Sequence, residues 1–253
     1  MLDSMYVAAT GMLAEQRSID VVANNLANLN TPAFKKQRAV FNEMLQLQQV
    51  NSKQNSVLTE GNGVAIAQNQ TEMTAGELKA TERSLDIAIT GKGFFELELA
   101  NGAIAYTRNG SLKLDNKGYL TTQSGHLLAD RIQIPPDSKT ISISEQGQVT
   151  ALVDQELIEL GQLQLVSFMS ESGLDAHGNG IYTPTDKAGA PYYSMAGENG
   201  TGKIQQGFLE TSNVELTDEL MWLTLAQRGY EANAQVIRAA DNILRITNNL
   251  RGN

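Results

Sequence analysis

The two ends of this chain repeat apolar residues at alternating spacings of three and four, and its middle does not. At the N-terminus the row is Leu2, Met5, Ala9, Met12, Gln16, Ile19, Ala23 and Leu26, which is a helical period with one polar interruption. At the C-terminus Trp222, Leu225, Gly229, Ala232, Val236, Ala239, Ile243, Ile246 and Leu250 follow the same rhythm without a charged residue. A second row, Leu216, Leu220, Leu223, Gln227, Tyr230, Ala234, Ile237, Asp241 and Leu244, runs beside it. Two adjacent rows make an apolar arc too wide for a two-stranded coil, so the last helix is expected to touch several neighbours. Isolated helices owe most of their stability to packing. The two ends must therefore pair with each other or with other molecules.

The limits of these helices are written in polar residues. Ser212 and Glu215 have the spacing of a capping box, Asp218 and Glu219 follow in the early turns, and Arg238, Arg245 and Arg251 come late; that polarity matches the helix dipole. The first helix runs into "NNLANLNTPAFKKQ", residues 24–37. Pro32 has no donor and pushes Thr31 towards extended geometry, so the helix must stop there. Between the ends, strand signals dominate. Turn residues at Asn101-Gly102, Asn109-Gly110, Asn116-Lys117-Gly118, Ser124-Gly125 and Gln146-Gly147 separate short alternating runs, which predicts a meander of antiparallel strands. Residues 46–72 are rich in Gln and Asn and are expected to be an extended, weakly ordered connection; the Gly-rich residues 185–203 read as a loop or edge. The fold class is α+β. Residues 1–31 and 213–253 form a terminal helical assembly domain of coiled-coil-like character, 32–75 and 203–212 an extended arm, and 76–202 a β-rich domain.

Composition narrows the function. The chain has no cysteine and two histidines, His126 and His177, far apart in sequence, so thiolate chemistry is excluded and a metal site would rest on carboxylates. No run of 18 apolar residues predicts a membrane span. The opening "MLDSMYVAATGMLAEQ" lacks the basic region of a secretory signal, so the protein is expected to be cytoplasmic or exported without a cleaved signal. Residues 41–211 hold 11 basic and 20 acidic side chains and thus the whole net charge of −9. Nucleic-acid binding is not expected from such a balance. "GKGFFELEL" and "TGKI" lack the spacing that cradles phosphates and read as turns. Asp175, His177 and Asn179 in "GLDAHGNGIY" read as a surface turn, since no second ligand cluster accompanies them. No nucleophile elbow is present, and Trp222 and Tyr230 are better explained by packing than by a ligand cage. No catalytic, cofactor-binding or metal-binding residue is expected. The rival reading is a secreted β-domain carbohydrate-active enzyme or binding module with helical dimerisation ends, which could house a carboxylate pair.

"NNLANLNTPAFKKQ" resembles the N-terminal signature of the bacterial flagellar rod and hook proteins, and "LETSNVELTDELMWLTLAQRGYEANAQVIRAADNIL" resembles the C-terminal one. "DIAITGKGFFELEL", "AYTRNGSLKLDNKGYLTT" and "IQIPPDSKTISI" agree with the middle of that family. Within it, "QRGYEAN" and "IQIPPD" point to the distal-rod members over the proximal-rod ones. Ala33 stands where the family carries glycine, which weighs against a left-handed turn there. The resemblance implies a structural subunit of the basal-body rod, with no cofactor and no catalysis. It would self-assemble into a helical axial filament that transmits torque through the periplasm. Implied partners are copies of itself, the proximal-rod and hook proteins, the P-ring and L-ring, and the flagellar type III export apparatus. The implied assembly interface comprises Leu2, Met5, Met12, Ile19, Leu26, Trp222, Leu225, Tyr230, Val236, Ile237, Ile243, Ile246 and Leu250. Asn25 and Asn28 would satisfy helix-end carbonyls and adjacent chains. "FNEML" matches the export-gate pattern of such proteins, with Phe41 and Leu45 expected on one face of a helical turn and Asn42 and Glu43 pointing elsewhere.

Overall fold

The computed structural model describes residues 2–48 and 58–251; the side chains of 2, 45–48, 58–61, 66 and 248–251 lie outside that description. The chain is α+β. Its contacts divide it into two units: Met1–Ala27, Gln37–Gln70 and Glu215–Asn253 form the first, and Asn28–Lys36 with Thr71–Val214 the second.

The first unit holds α1 (Leu2–Ala27) and α2 (Leu216–Arg251), which lie against each other. It also holds β1 (Gln37–Gln48) and β2 (Leu58–Thr71), paired as a two-stranded ribbon with β1 against α1. The expected loose connection is thus strand on both sides of residues 49–57, which fall outside the described residues. Val40 and Phe41 favour a pleated surface, and this settles the fate of "FNEML" as well. In a strand, residues two apart share a face, so Glu43 lies on the face of Phe41 and no helical knob forms. Gly63 explains how the ribbon seats on the helix. Its φ is +95°, and a Cβ there would run into the Thr10 hydroxyl, which accepts the Val64 N–H at 3.3 Å.

The second unit is a stack of small antiparallel sheets. Along the chain come β3 (Leu78–Ala80), β4 (Ile87–Thr90), β5 (Phe95–Glu98), β6 (Ile104–Thr107), β7 (Leu112–Leu114), β8 (Leu120–Thr122) and β9 (Leu127–Leu128). They are followed by β10 (Thr140–Ile143), β11 (Gln148–Val153), β12 (Glu156–Gln162), β13 (Gln164–Ser167) and β14 (Leu174–Ala176). β15 (Ile181–Pro184), β16 (Tyr192–Met195), β17 (Lys203–Gln206) and β18 (Phe208–Glu210) complete the set. The largest sheet has the order β14-β15-β6-β5-β9-β8-β7 and is not a plain meander, because β9 folds back beside β5. The turn at Asn109-Gly110 is likewise no hairpin. Gly110 lies so close to the Ile87 carbonyl that a Cβ would overlap it, and its own carbonyl accepts the Ile87 N–H at 3.0 Å. β16, inside the expected loop 185–203, pairs with β13. Alternation sends Phe95 and Leu97 inward and leaves Glu96 and Glu98 half-buried on the other face. Ile87, Ile89, Leu120, Leu128, Leu163 and Ile204 join them in the main core. A second cluster gathers Phe94, Tyr106, Phe168 and Tyr182 edge to face.

The start of α2 differs from the capping box expected of Ser212. Its hydroxyl accepts the N–H of Val214 at 3.3 Å, two residues on, and the first helical bond runs from Glu219 N to the Glu215 carbonyl at 3.1 Å. Glu215 is therefore the capping position, and the helix begins a turn later than the motif suggested.

Candidate functional site

α1 and α2 run antiparallel in a defined register. Gly11 faces Asn233, Glu15 faces Gly229, and Asn25 bonds Glu219. Each step forward on α1 is matched by an equal step back on α2. The inward face of α1 is built from Ala8, Gly11, Ala14, Ser18, Val21, Val22 and Asn25, and that of α2 from Glu219, Ala226, Asn233, Ile237 and Ala240, all buried or half-buried. Most are small, so the backbones approach closely. Burial there raises the Glu15 carboxyl above its ordinary range.

The row read as an assembly interface is turned outward in this chain. Trp222, Leu225, Val236, Ile243 and Ile246 are between 45% and 60% exposed, and Leu216, Leu220, Met221 and Tyr230 are exposed as well. Ile237 is half-buried. On α1, Met5, Met12, Ile19 and Leu26 are half-buried, and Tyr6 and Leu13 exposed. Leu2 and Leu250 fall outside the described side chains. Arg38 of β1 covers Trp222 with its guanidinium, 5.6 Å from the ring centre, a cation–π contact that leaves the rest of the row bare. Taking the exposed half of each large apolar side chain out of water there is worth about 1 kcal/mol, roughly half the value for complete burial. The row is a surface with much to gain from a partner.

Asn25 answers for the amide-rich end of α1. Its Nδ2 donates to the Gln37 carbonyl at 2.9 Å and to Glu219 at 3.1 Å, and its Oδ1 accepts the Gln37 N–H at 2.9 Å. One buried amide thus pairs with a peptide group as a strand neighbour would, within its own chain. Asn28 accepts the Thr31 hydroxyl at 3.1 Å in the turn that follows. Ala33 then takes φ +55° while fully buried, so the left-handed turn forms without the glycine. It is held by the Ala33 N–H on the Glu210 carbonyl at 2.8 Å.

The second unit clamps the two stretches that lead into the helices. Lys35 Nζ donates to Glu210 Oε1 at 2.5 Å and to the Thr74 carbonyl at 2.6 Å. Arg108 Nε meets Glu210 Oε2 at 2.9 Å, and its remaining nitrogens reach the carbonyls of Gly91 at 2.8 Å and Gly93 at 3.2 Å. All three side chains are buried. Burial pulls the Lys35 ammonium below its ordinary value against the pull of Glu210. It pushes Glu210 up, but Arg108 and Lys35 outweigh it and hold that carboxyl low. Asn213 ties the same joint, its Oδ1 on the Lys36 N–H at 2.7 Å and its Nδ2 on the Glu72 carbonyl at 2.9 Å. Sequence reasoning missed Lys35, Arg108 and Glu210. The signal was faint: three charged residues far apart, each beside a Gly- or Pro-marked turn.

Three family models match the chain. Residues 5–35 match the flagella basal body rod protein model, 88–151 the D1 domain of the flagellar hook protein FlgE/F/G, and 205–250 the C-terminal part of the flagellar basal body rod FlgEFG proteins. Lys35, Arg108 and Glu210 each fall in a different one of these stretches. Among curated proteins, the chain is 38% identical to the flagellar basal-body rod protein FlgG of Buchnera aphidicola subsp. Acyrthosiphon pisum, over 96% of this chain and 98% of that one. It is 37% identical to the FlgG of Borreliella burgdorferi, over 99% of both. With the FlgG of Bacillus subtilis it shares 37%, over 99% and 100%.

Proposed function

The chain belongs to the FlgG family of flagellar basal-body rod proteins, and we propose that it builds the distal part of the rod as a self-assembling structural subunit. It is a structural protein and not an enzyme, as its relatives are. The observation that carries the assembly mechanism is the bare apolar row of α2. Trp222, Leu225, Val236, Ile243 and Ile246 stay half in water in the single chain, whereas α2 already has α1 on its other side. Neighbouring copies are the partners that would cover this row, with α1 and α2 acting as a coiled-coil-like assembly domain. Leu2, Met5, Met12, Ile19, Leu26, Tyr230, Ile237 and Leu250 belong to the same proposed interface.

Family membership supports a location in the basal body, and the finer placement is part of the proposal. Copies of the chain would form a helical axial filament in the periplasm, between the proximal rod and the hook and inside the P- and L-rings. The chain would reach that place through the type III export apparatus, without a cleaved signal. No helix among the described residues is long and apolar enough to cross a membrane. Phe41 and Leu45 remain the proposed export contact. Export acts on an unfolded chain, so the strand they occupy in the folded protein does not conflict with that use. Replacing both with Ala should hold the protein in the cytoplasm; normal amounts outside the cell would remove the pair from export.

The decisive experiment on assembly is electron microscopy of the concentrated protein beside a Val236→Asp variant. Filaments from the first and none from the second are expected. Filaments from both would show that the row faces solvent in the rod.

A further inference from the structure

Each helix of the pair contains one glycine, Gly11 in α1 and Gly229 in α2. A glycine inside a helix sacrifices stability and calls for a reason. The reason here is reciprocal. A Cβ on Gly11 would stand 2.8 Å from Asn233 Nδ2, and a Cβ on Gly229 would stand 2.6 Å from Glu15 Oε1. On each helix the glycine lies four residues from the polar side chain, so α1 offers a seat and a key and α2 offers a key and a seat.

We propose that Glu15 and Asn233 are register keys that lock α1 against α2 at one height. This deepens the assembly reading above, because a locked pair holds the apolar row of α2 at a fixed height along α1. A slip of one heptad removes both seats. Glu15 would then confront Trp222 or Val236 in place of a bare glycine, and Gly11 would face Ala226 or Ala240, leaving Asn233 no cavity. The small apolar residues of the two inward faces select a register less sharply than the keys do, and the buried Asn25–Glu219 bond at the far end of the pair would be lost in the same slip. A single polar residue on such a seam is known to set register at a cost in stability.

The chain has no cysteine, so introduced pairs report register cleanly. In the observed register Ser18 faces Ala226, and after a heptad slip Ala8 would face Ile243. A Ser18→Cys, Ala226→Cys protein should form its disulfide readily under mild oxidation, and an Ala8→Cys, Ile243→Cys protein should not. Adding Gly229→Ala should lower the first yield and the melting temperature, because the Glu15 side chain must either leave its seat or strain the contact. Adding Glu15→Ala to that variant should restore both. Without a key in the seat, Gly229→Ala would instead raise the melting temperature, alanine being the better helix former. An unchanged 18–226 yield in Gly229→Ala overturns the lock, and so does a loss that Glu15→Ala fails to repair. None of these readouts requires filaments, so a failure of the lock is distinguishable from a failure of rod assembly.

Discussion

Three single residues set the energetics of the second unit. Ala33 sits at φ +55°, where a Cβ costs about 1–2 kcal/mol. Ala33→Gly should therefore stabilise the protein by about 0.5–1 kcal/mol once the freer unfolded chain is counted, read as a rise in denaturant midpoint. Glu210 answers to two buried cations, and Glu210→Gln keeps its shape while leaving both uncompensated. A loss of about 3–5 kcal/mol is expected; a thermal midpoint close to that of the parent would mean that the cluster is indifferent to charge. Asp130 is pushed up to about 6, chiefly by burial, although it accepts the Gln164 N–H at 3.3 Å. The raised value means that the folded chain holds this proton more tightly than the unfolded one. The stabilisation is full below the unfolded value near pH 4 and disappears as pH rises through about 6. Asp130→Asn should accordingly be more stable than the parent at pH 8, by about 1–3 kcal/mol, and show no gain at pH 4. An equal gain at both pH values would assign it to packing. Of these positions the sequence marked only Ala33, and it pointed away from the left-handed turn that forms there. Burial of Lys35 or Asp130 depends on partners far away in the chain, and periodicity reports only local order.

Elements were more legible than residues, and the exceptions are instructive. Both helices and the strand-rich middle follow from spacing and turn chemistry. The buried face of α2 does not, because it is drawn in Ala226, Ala240, Asn233 and Glu219 and looks polar beside the Trp222 row. Size complementarity chose that face over hydrophobicity. The hairpin between β11 and β12 was hidden for a related reason. It turns at Asp154 and Gln155, with φ of +49° and +72°, and carries no glycine to mark it. At this scale the sharpest expectation concerns Ile243. Half exposed in the single chain, Ile243→Asp should leave monomer stability within about 0.5 kcal/mol. In a packed filament the same carboxylate would be buried unpaired, at several kcal/mol. Circular dichroism melting and sedimentation together separate the two effects; a large loss of monomer stability would place the residue in the chain's own core.

At the scale of the molecule, charge and connection matter most. Residues 41–211 carry the whole net charge of −9, so copies gathered into the proposed filament would repel one another, while the apolar row of α2 is indifferent to salt. Raising sodium chloride from about 0.05 to about 0.5 M shrinks the screening length from over 10 Å to a few ångströms. The polymerised fraction in sedimentation should rise over that range; a fall would mean that opposite charges hold the copies together. The joint at Lys35, Glu210 and Asn213 has a different kind of consequence. The chain leaves and re-enters at points stitched directly to one another, by Lys35 on Glu210 and by Lys36 on Asn213. The gap between exit and return is fixed by those bonds and owes nothing to the size of what lies between. Such a joint works as a socket. Loops and strands of the excursion that lie away from Thr74, Gly91, Gly93 and Arg108 can be lengthened, trimmed or exchanged, and the spacing of the two stems is unaltered.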